Sequence, residues 1–187
     1  MGMPDLVERW TREQVLALPD DGNRYELVDG ELLVSPSPRM LHQLGVTALF
    51  RAVDAHARDH RLGVTLASPA DLDLREGQLV QPDLFVIGHA PGARPNEWSE
   101  VGVPILVVEV LSPSTARYDR ILKRRLCQRT GVPEYWIVDL DARVMERWRP
   151  TDDRPEILTD TLTWNPEGST APMVLDLVEL FREIHGA

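Results

Sequence analysis

The 187-residue chain has little cysteine, little lysine and few aromatic residues. Cys127 is its single cysteine, which excludes a disulfide framework and points to a reducing, cytoplasmic setting. No apolar run approaches the roughly 20 residues of a membrane span. The opening MGMPDLVERWTREQ lacks the basic and apolar regions of a signal peptide, so no membrane partner is expected. Aromatic residues make up 6%, and the 5 tryptophans are scattered, so packing is the default reading for each. Positive charge is also short. The 20 basic residues face 30 acidic ones, a net charge of -10 that argues against a general nucleic-acid coat protein. Among those 20 basic residues Lys123 is the only lysine.

What is present is a hydrophobic fraction of 43% with long apolar stretches, which excludes disorder and suffices for one ordinary core. With no internal repeat or low-complexity tract, residues 1–187 read as one domain. Thr11 and Gln14 have capping-box spacing ahead of a short helix that Pro19 ends. Asp29-Gly30 is a hairpin turn between strands Tyr25 to Val28 and Glu31 to Val34. From Met40 to about Arg58, Leu41, Leu44, Ala48, Leu49, Ala52 and Val53 fall at helical spacing.

Short strands follow at Val64 to Ala67, Asp71 to Leu74 and Val80 to Ile87, with a long loop over Gly88 to Gly102. The continuous apolar run Ile105 to Leu111 predicts a central strand. A helix from about Tyr118 to Thr130 stops at Gly131, with Pro133 beyond. Glu134 to Asp139 and Val144 to Arg149 read as a strand pair. A weaker strand near Ile157 and an amphipathic segment Leu175 to Ile184 complete the tail. Strands with two substantial helices between them give an α/β or α+β class, a sheet flanked by helices.

The chemistry begins at Glu109, a carboxylate inside an otherwise apolar strand. Burying it costs several kcal/mol unless it is paired, protonated or bound to a metal. Asp83 follows Pro82 inside another apolar strand. If the two strands are neighbours, both carboxylates can serve one cation, and hard oxygen ligands suit Mg²⁺ or Mn²⁺. The alternative for either residue alone is an arginine salt bridge at a strand end. Downstream, Arg117 to Arg129 carries a net charge of +5 and leaves -15 for the rest of the chain. A cationic helix beside two carboxylates suits a phosphodiester substrate, although a solvated basic face balancing acidic neighbours gives the same pattern. Lys123 lies one helical i,i+4 step from Asp119, so the two can pair. Its compact ammonium differs chemically from a guanidinium and is suited to approach a reacting water.

Ser112 and Ser114 have no histidine placed in sequence to activate them, and capping of the next helix is the better reading. Cys127 sits at core-compatible helical spacing, and Trp136 within EYWIV reads as core.

The run VVEVLSPST, then Asp119, Lys123 and GVPEYWIVD, with QPDLFV and RYELVDGELLV upstream, resembles the Uma two family. These are endonuclease-like proteins of the restriction-endonuclease, PD-(D/E)xK-type fold. The resemblance covers a core of about 11–149, with 150–187 as a C-terminal extension. It implies a mixed central β-sheet flanked by helices, with an N-terminal β-hairpin.

By this resemblance Asp83 and Glu109 are the motif's metal ligands, with the Val110 main-chain carbonyl as an added ligand. The lysine expected two residues after the glutamate is replaced by Leu111, and its role passes to Lys123 on the following helix. Cys127 stands where a tyrosine is common. An acidic residue near the first helix often completes the metal shell in this fold, with Glu31 preferred over Glu26. His42, in a His-Gln pair, is a candidate phosphate or supporting contact, although a helix-start histidine is more often surface. Arg120 and Arg124 are expected to contact flanking phosphates.

The implied activity is Mg²⁺- or Mn²⁺-dependent hydrolysis of DNA, in a homodimer. A different class, a non-catalytic dimeric module that binds nucleic acid or an acidic protein through the basic helix, has the same fold.

Overall fold

Thr11 and Gln14 close a reciprocal capping box, the Gln14 side chain accepting from the Thr11 amide at 2.8 Å, and this opens α1 (Arg12–Leu16). The computed structural model describes residues 9–90 and 93–186, Ser99 by its backbone alone. Residues 1–8, on which the signal-peptide reading partly rests, lie outside the described residues.

Strands β1 (Arg24–Val28) and β2 (Glu31–Ser35) form the expected hairpin as a separate two-stranded sheet. Both turn residues, Asp29 (φ 53°) and Gly30 (φ 83°), adopt the left-handed conformation of a tight hairpin. Helix α2 (Met40–Asp59) follows, burying Val46, Leu49, Val53 and Ala57 along one stripe.

The central sheet has six strands in the order β3-β4-β5-β6-β7-β8. These are β3 (Gly63–Ala67), β4 (Leu84–Gly88), β5 (Leu106–Val110), β6 (Tyr135–Asp139), β7 (Val144–Trp148) and β8 (Glu156–Leu158). All neighbours are antiparallel except β5 and β6, so only that pair needs a crossover. The crossover is a helical rod of three consecutive segments: α3 (Ala116–Tyr118), a π-helical turn (Asp119–Lys123) and α4 (Arg124–Thr130). Gly131 ends it in the left-handed conformation, at φ 77°.

The sheet separates two apolar layers. Leu84, Val86, Val108, Val110 and Trp136 pack toward α2 and the tail. Phe85, Ile87, Val107, Tyr135 and Ile137 pack toward Leu126 and Cys127 of α4. Glu109 lies two residues from Val107 along β5 and so on the same face, in the second layer.

Several boundaries differ from the sequence reading. Asp71 to Leu74 makes only an isolated bridge, Leu72 with Val80. The strand expected from Val80 begins at Leu84, because Pro82 donates no amide and the Gln81 amide goes to Glu26. The rod starts before Tyr118 and contains the π-helical turn. Two tail strands escaped notice, β9 (Thr161–Trp164) and β10 (Met173–Asp176), which pair with each other. The last helix, α5 (Leu177–His185), therefore starts after Leu175, with Asp176 as its N-cap. Leu162, Trp164, Leu177 and Phe181 pack into the same core as α2, so residues 150–187 complete that layer.

Two glycines should respond differently to alanine. A Cβ at Gly63 would lie 2.0 Å from the Ile87 carbonyl oxygen, whereas at Gly131 it meets nothing within 4 Å. Gly131→Ala should cost about 1 kcal/mol from its backbone conformation alone. Gly63→Ala should cost about 3 kcal/mol, because backbone must move. Urea denaturation of both variants against the parent protein measures this difference.

Candidate active site

The strand register brings the two sequence-selected carboxylates together. Leu84 pairs with Val108, and continuing that antiparallel register by one residue sets Asp83 opposite Glu109. The Asp83 amide lies 3.4 Å from Glu109 Oε2, and the Val110 amide donates to Asp83 Oδ2 at 2.9 Å. His42, from the first turn of α2, places Nε2 3.0 Å from Asp83 Oδ2. Arg24, on β1, donates to Asp83 Oδ1 at 3.0 Å and to the Gln81 carbonyl at 2.8 Å. Asp83 thus makes the arginine salt bridge of the simpler reading and also faces Glu109.

Lys123 is the centre of the second half. Its Nζ lies 2.9 Å from Glu26 Oε2, 3.0 Å from Glu109 Oε1 and 3.2 Å from Asp119 Oδ1. Glu26 is fixed by accepting the Gln81 amide at 2.8 Å, and the Tyr135 hydroxyl donates to the Asp119 carbonyl at 2.9 Å. Four buried carboxylates, Glu26, Asp83, Glu109 and Asp119, therefore surround the cationic side chains of Lys123 and Arg24. Four carboxylates against these two cations make the cluster acid-rich.

That excess divides the acids. Burial pushes the Glu109 carboxyl well above its ordinary range; Lys123 opposes this, while Asp119, Asp83 and Glu26 add to it. Asp119 is raised for the same leading reason, again against Lys123. Burial also works against Asp83. There the His42 hydrogen bond and charge, then Arg24 and Lys123, win and hold it at about 2. Two facing carboxyls pushed in opposite directions are a mark of a reactive site.

Asp83, Glu109, Asp119 and Lys123 of the cluster floor a pocket of about 220 Å³ whose walls are residues 35–39 and 112–115. Ser112 Oγ lies 3.0 Å from both Ser114 Oγ and Thr115 Oγ1, so one wall carries a net of hydroxyls. A wider cleft of about 600 Å³, between Arg12, Asp73 and Trp98, contains none of the cluster. Its size carries no argument without that chemistry.

The donor set suits a hard divalent cation: adjacent carboxylates, negative in sum, with one acid displaced toward its neutral form. Among the described residues no three Asp, Glu, His or Cys side chains stand in ready coordination, since Lys123, Arg24 and His42 hold the cluster's oxygens.

Of the other expected residues, Val110 enters through its amide. Glu26 is in the cluster, whereas Glu31 is exposed on β2, reversing the preference between them. His42 is 8% exposed and sits on Asp83, contrary to a surface role. Arg120 is bound to Glu146 and Asp139, and Arg124 lies 4.5 Å over the Trp148 ring. Ser112 and Ser114 line the wall, and Cys127 is a buried thiol pushed up by burial. Arg24 was missed. The signal was its i,i+2 spacing from Glu26 on one strand, which puts both side chains on one face.

A family model described as "Putative restriction endonuclease", Uma2, matches residues 12–178. The chain belongs to the Uma2 family. No curated protein matches it. Among solved structures it is similar to a crystal structure described as a "putative nuclease belonging to DUF820" from Anabaena variabilis ATCC 29413. The TM-score is 0.70 at 20% identity, over 94% of this chain and 99% of that one. The likeness shows a shared fold. Among the described residues no helix is long and apolar enough to cross a membrane.

In this Uma2 chain the His42 contact has a pH signature. Asp83 is held at about 2 against an ordinary 3.8, so its ionised form contributes stability above pH 3.8 that is lost as pH falls toward 2. His42→Ala removes part of that depression. The variant should melt below the parent protein at pH 5, and the gap should close between pH 3.8 and 2. Thermal unfolding across that range checks it; a gap independent of pH would refute the assignment.

Proposed function

We propose that this Uma2 protein is a divalent-metal-dependent endonuclease that hydrolyses phosphodiester bonds in DNA. The observation that carries the proposal is Lys123 Nζ on Glu109 at 3.0 Å, with Asp83 opposite Glu109 across two adjacent strands. An aspartate, a glutamate and a lysine thus share one pocket floor, in a family described as endonucleases.

Asp83 and Glu109 would hold Mg²⁺ or Mn²⁺, with the Val110 carbonyl as an added ligand. When bound, the ion supplies Lewis-acid polarisation of the phosphoryl group and a water of lowered pKa.

The chain's own residues do the rest. Arg24 and His42 fix the Asp83 carboxylate from two sides and so set its direction. Lys123 acts as a cation. Burial lowers its pKa, yet Glu109, Glu26 and Asp119 outweigh burial and hold it well above the ordinary lysine value. Its ammonium therefore keeps its protons at neutral pH, orients the attacking water by donating to it, and offsets charge developing on phosphorus. The hydroxyls of Ser112, Ser114 and Thr115 donate to non-bridging phosphate oxygens at the wall. Flanking phosphates meet Arg39 at the mouth and Arg120 beside it, while Arg124 is committed to Trp148. The expected homodimer would use apolar side chains exposed on the tail, Ile157, Val174 and Val178.

Cleavage of plasmid and oligonucleotide DNA with Mg²⁺, Mn²⁺ or EDTA tests the reading. Asp83→Asn and Glu109→Gln should each lower the rate by about 100-fold or more without loss of folding. Lys123→Arg keeps the charge but replaces a compact ammonium with a planar fork that three converging carboxylates do not match, and should lose activity comparably. No metal-dependent cleavage, together with no Mn²⁺ binding by calorimetry, would overturn the proposal.

A further inference from the structure

Beside the pocket over Asp83 and Glu109 lies a second chamber of about 170 Å³. The two spaces share Arg39, His42, Ser112 and Pro113, so they adjoin across these residues. Their linings differ. The first has the carboxylates, Lys123 and the hydroxyl net. The second is walled by Leu41, Leu111, Ala116 and Leu140, with Arg120, Asp139 and Asp141 also on its lining. Arg120 is tied to Glu146 and Asp139, which fixes its guanidinium in place. The Arg39 side chain is exposed and makes no hydrogen bond or ion pair among the described residues. A cation between a phosphate-type pocket and an apolar chamber is placed as the sugar-phosphate link between them requires.

The recess of the acids supplies a second constraint. Asp83 is 4% and Glu109 2% exposed, beneath walls built by residues 35–39 and 112–115. A regular duplex carries its phosphates on the outer rim, with every base stacked away from them and paired. Held that way, no base can turn into the chamber beside the pocket. In a strand free of its partner one can. That strand's phosphate then enters the first pocket, and the adjoining base, no longer stacked, needs an apolar surface to replace its neighbours.

Resting on the nuclease reading, we infer that the second chamber is a nucleobase subsite, and that the substrate class is an unpaired strand or a nucleotide extruded from a duplex. Leu41, Leu111 and Leu140 take the faces of the base flanking the scissile phosphate, and Arg39 takes the phosphate that links the two spaces.

The test compares three substrates with Mn²⁺: a single-stranded oligonucleotide, the same sequence as a blunt duplex, and bis(p-nitrophenyl) phosphate, a diester without a base. The single strand should be cut at least ten-fold faster than the duplex. Ala116→Trp, which fills the chamber from its half-buried wall, should lower kcat/KM on the single strand at least ten-fold more than on the small diester. If the diester is hydrolysed but duplex and single strand are cut equally, the subsite is overturned and the nuclease reading stands. Equal losses on strand and diester in Ala116→Trp overturn it likewise, and the duplex comparison needs no variant to fold. If no substrate is hydrolysed, the nuclease reading fails and takes the subsite with it.

Discussion

One buried ammonium constrains the rest of the molecule. Lys123 is 4% exposed and meets carboxylates from three elements: Glu26 on β1, Glu109 on β5 and Asp119 in its own helical turn. None of these charges is tolerable alone in that layer, because desolvating a single ion costs several kcal/mol. The ammonium can be there only if the hairpin, the central sheet and the crossover rod are all docked. Arg129 on α4, ion-paired to Asp29 in the hairpin turn, ties the same elements at the surface, where the pair is screened and worth much less. The buried cluster is therefore the joint between the hairpin and the body.

The same cluster is an unbalanced one. Hydrogen-bond donors converge on Asp83 from Val110, Arg24 and His42, whereas Glu109 has Lys123 and an amide at 3.4 Å. One acid is therefore stabilised as an anion, and its neighbour is left partly uncompensated. A purely structural ion-pair network would gain by matching charges, and this one does not. The mismatch is what a group arriving with positive charge would relieve.

Much of this was legible in the sequence, and the limits have physical causes. Asp29-Gly30, the apolar run of β5 and the Gly131 stop define their elements through local backbone chemistry, so they read directly. The pairing of Asp83 with Glu109 was legible because a carboxylate in an apolar strand needs an explanation. Glu31 and Glu26 share one face of the hairpin, but Glu31 lies exposed at the turn end and Glu26 in mid-strand meets Lys123, so their order depended on where the rod packs along the hairpin. For His42 a supporting contact and a surface place were both open, because position 42 opens a helix and only the fold shows that the sheet end meets it there. Strands β9 and β10 had an alternating signal in Thr161 to Trp164, too short to stand without the core that receives Leu162 and Trp164. Arg120 and Arg124 were expected on flanking phosphates, and their partners Glu146, Asp139 and Trp148 were not legible because they come from strands distant in sequence.

The position two residues after Glu109 gains a freedom from all this. With the ammonium delivered by the crossover rod, Leu111 is released from carrying charge at the strand end and lies in the apolar lining of the neighbouring chamber. Reach for the charge and shape for the lining are thereby set by different side chains. The chamber wall can change by substitution at Leu111 without disturbing the charge balance beneath it, so the shape of the one and the charge of the other are free to vary separately.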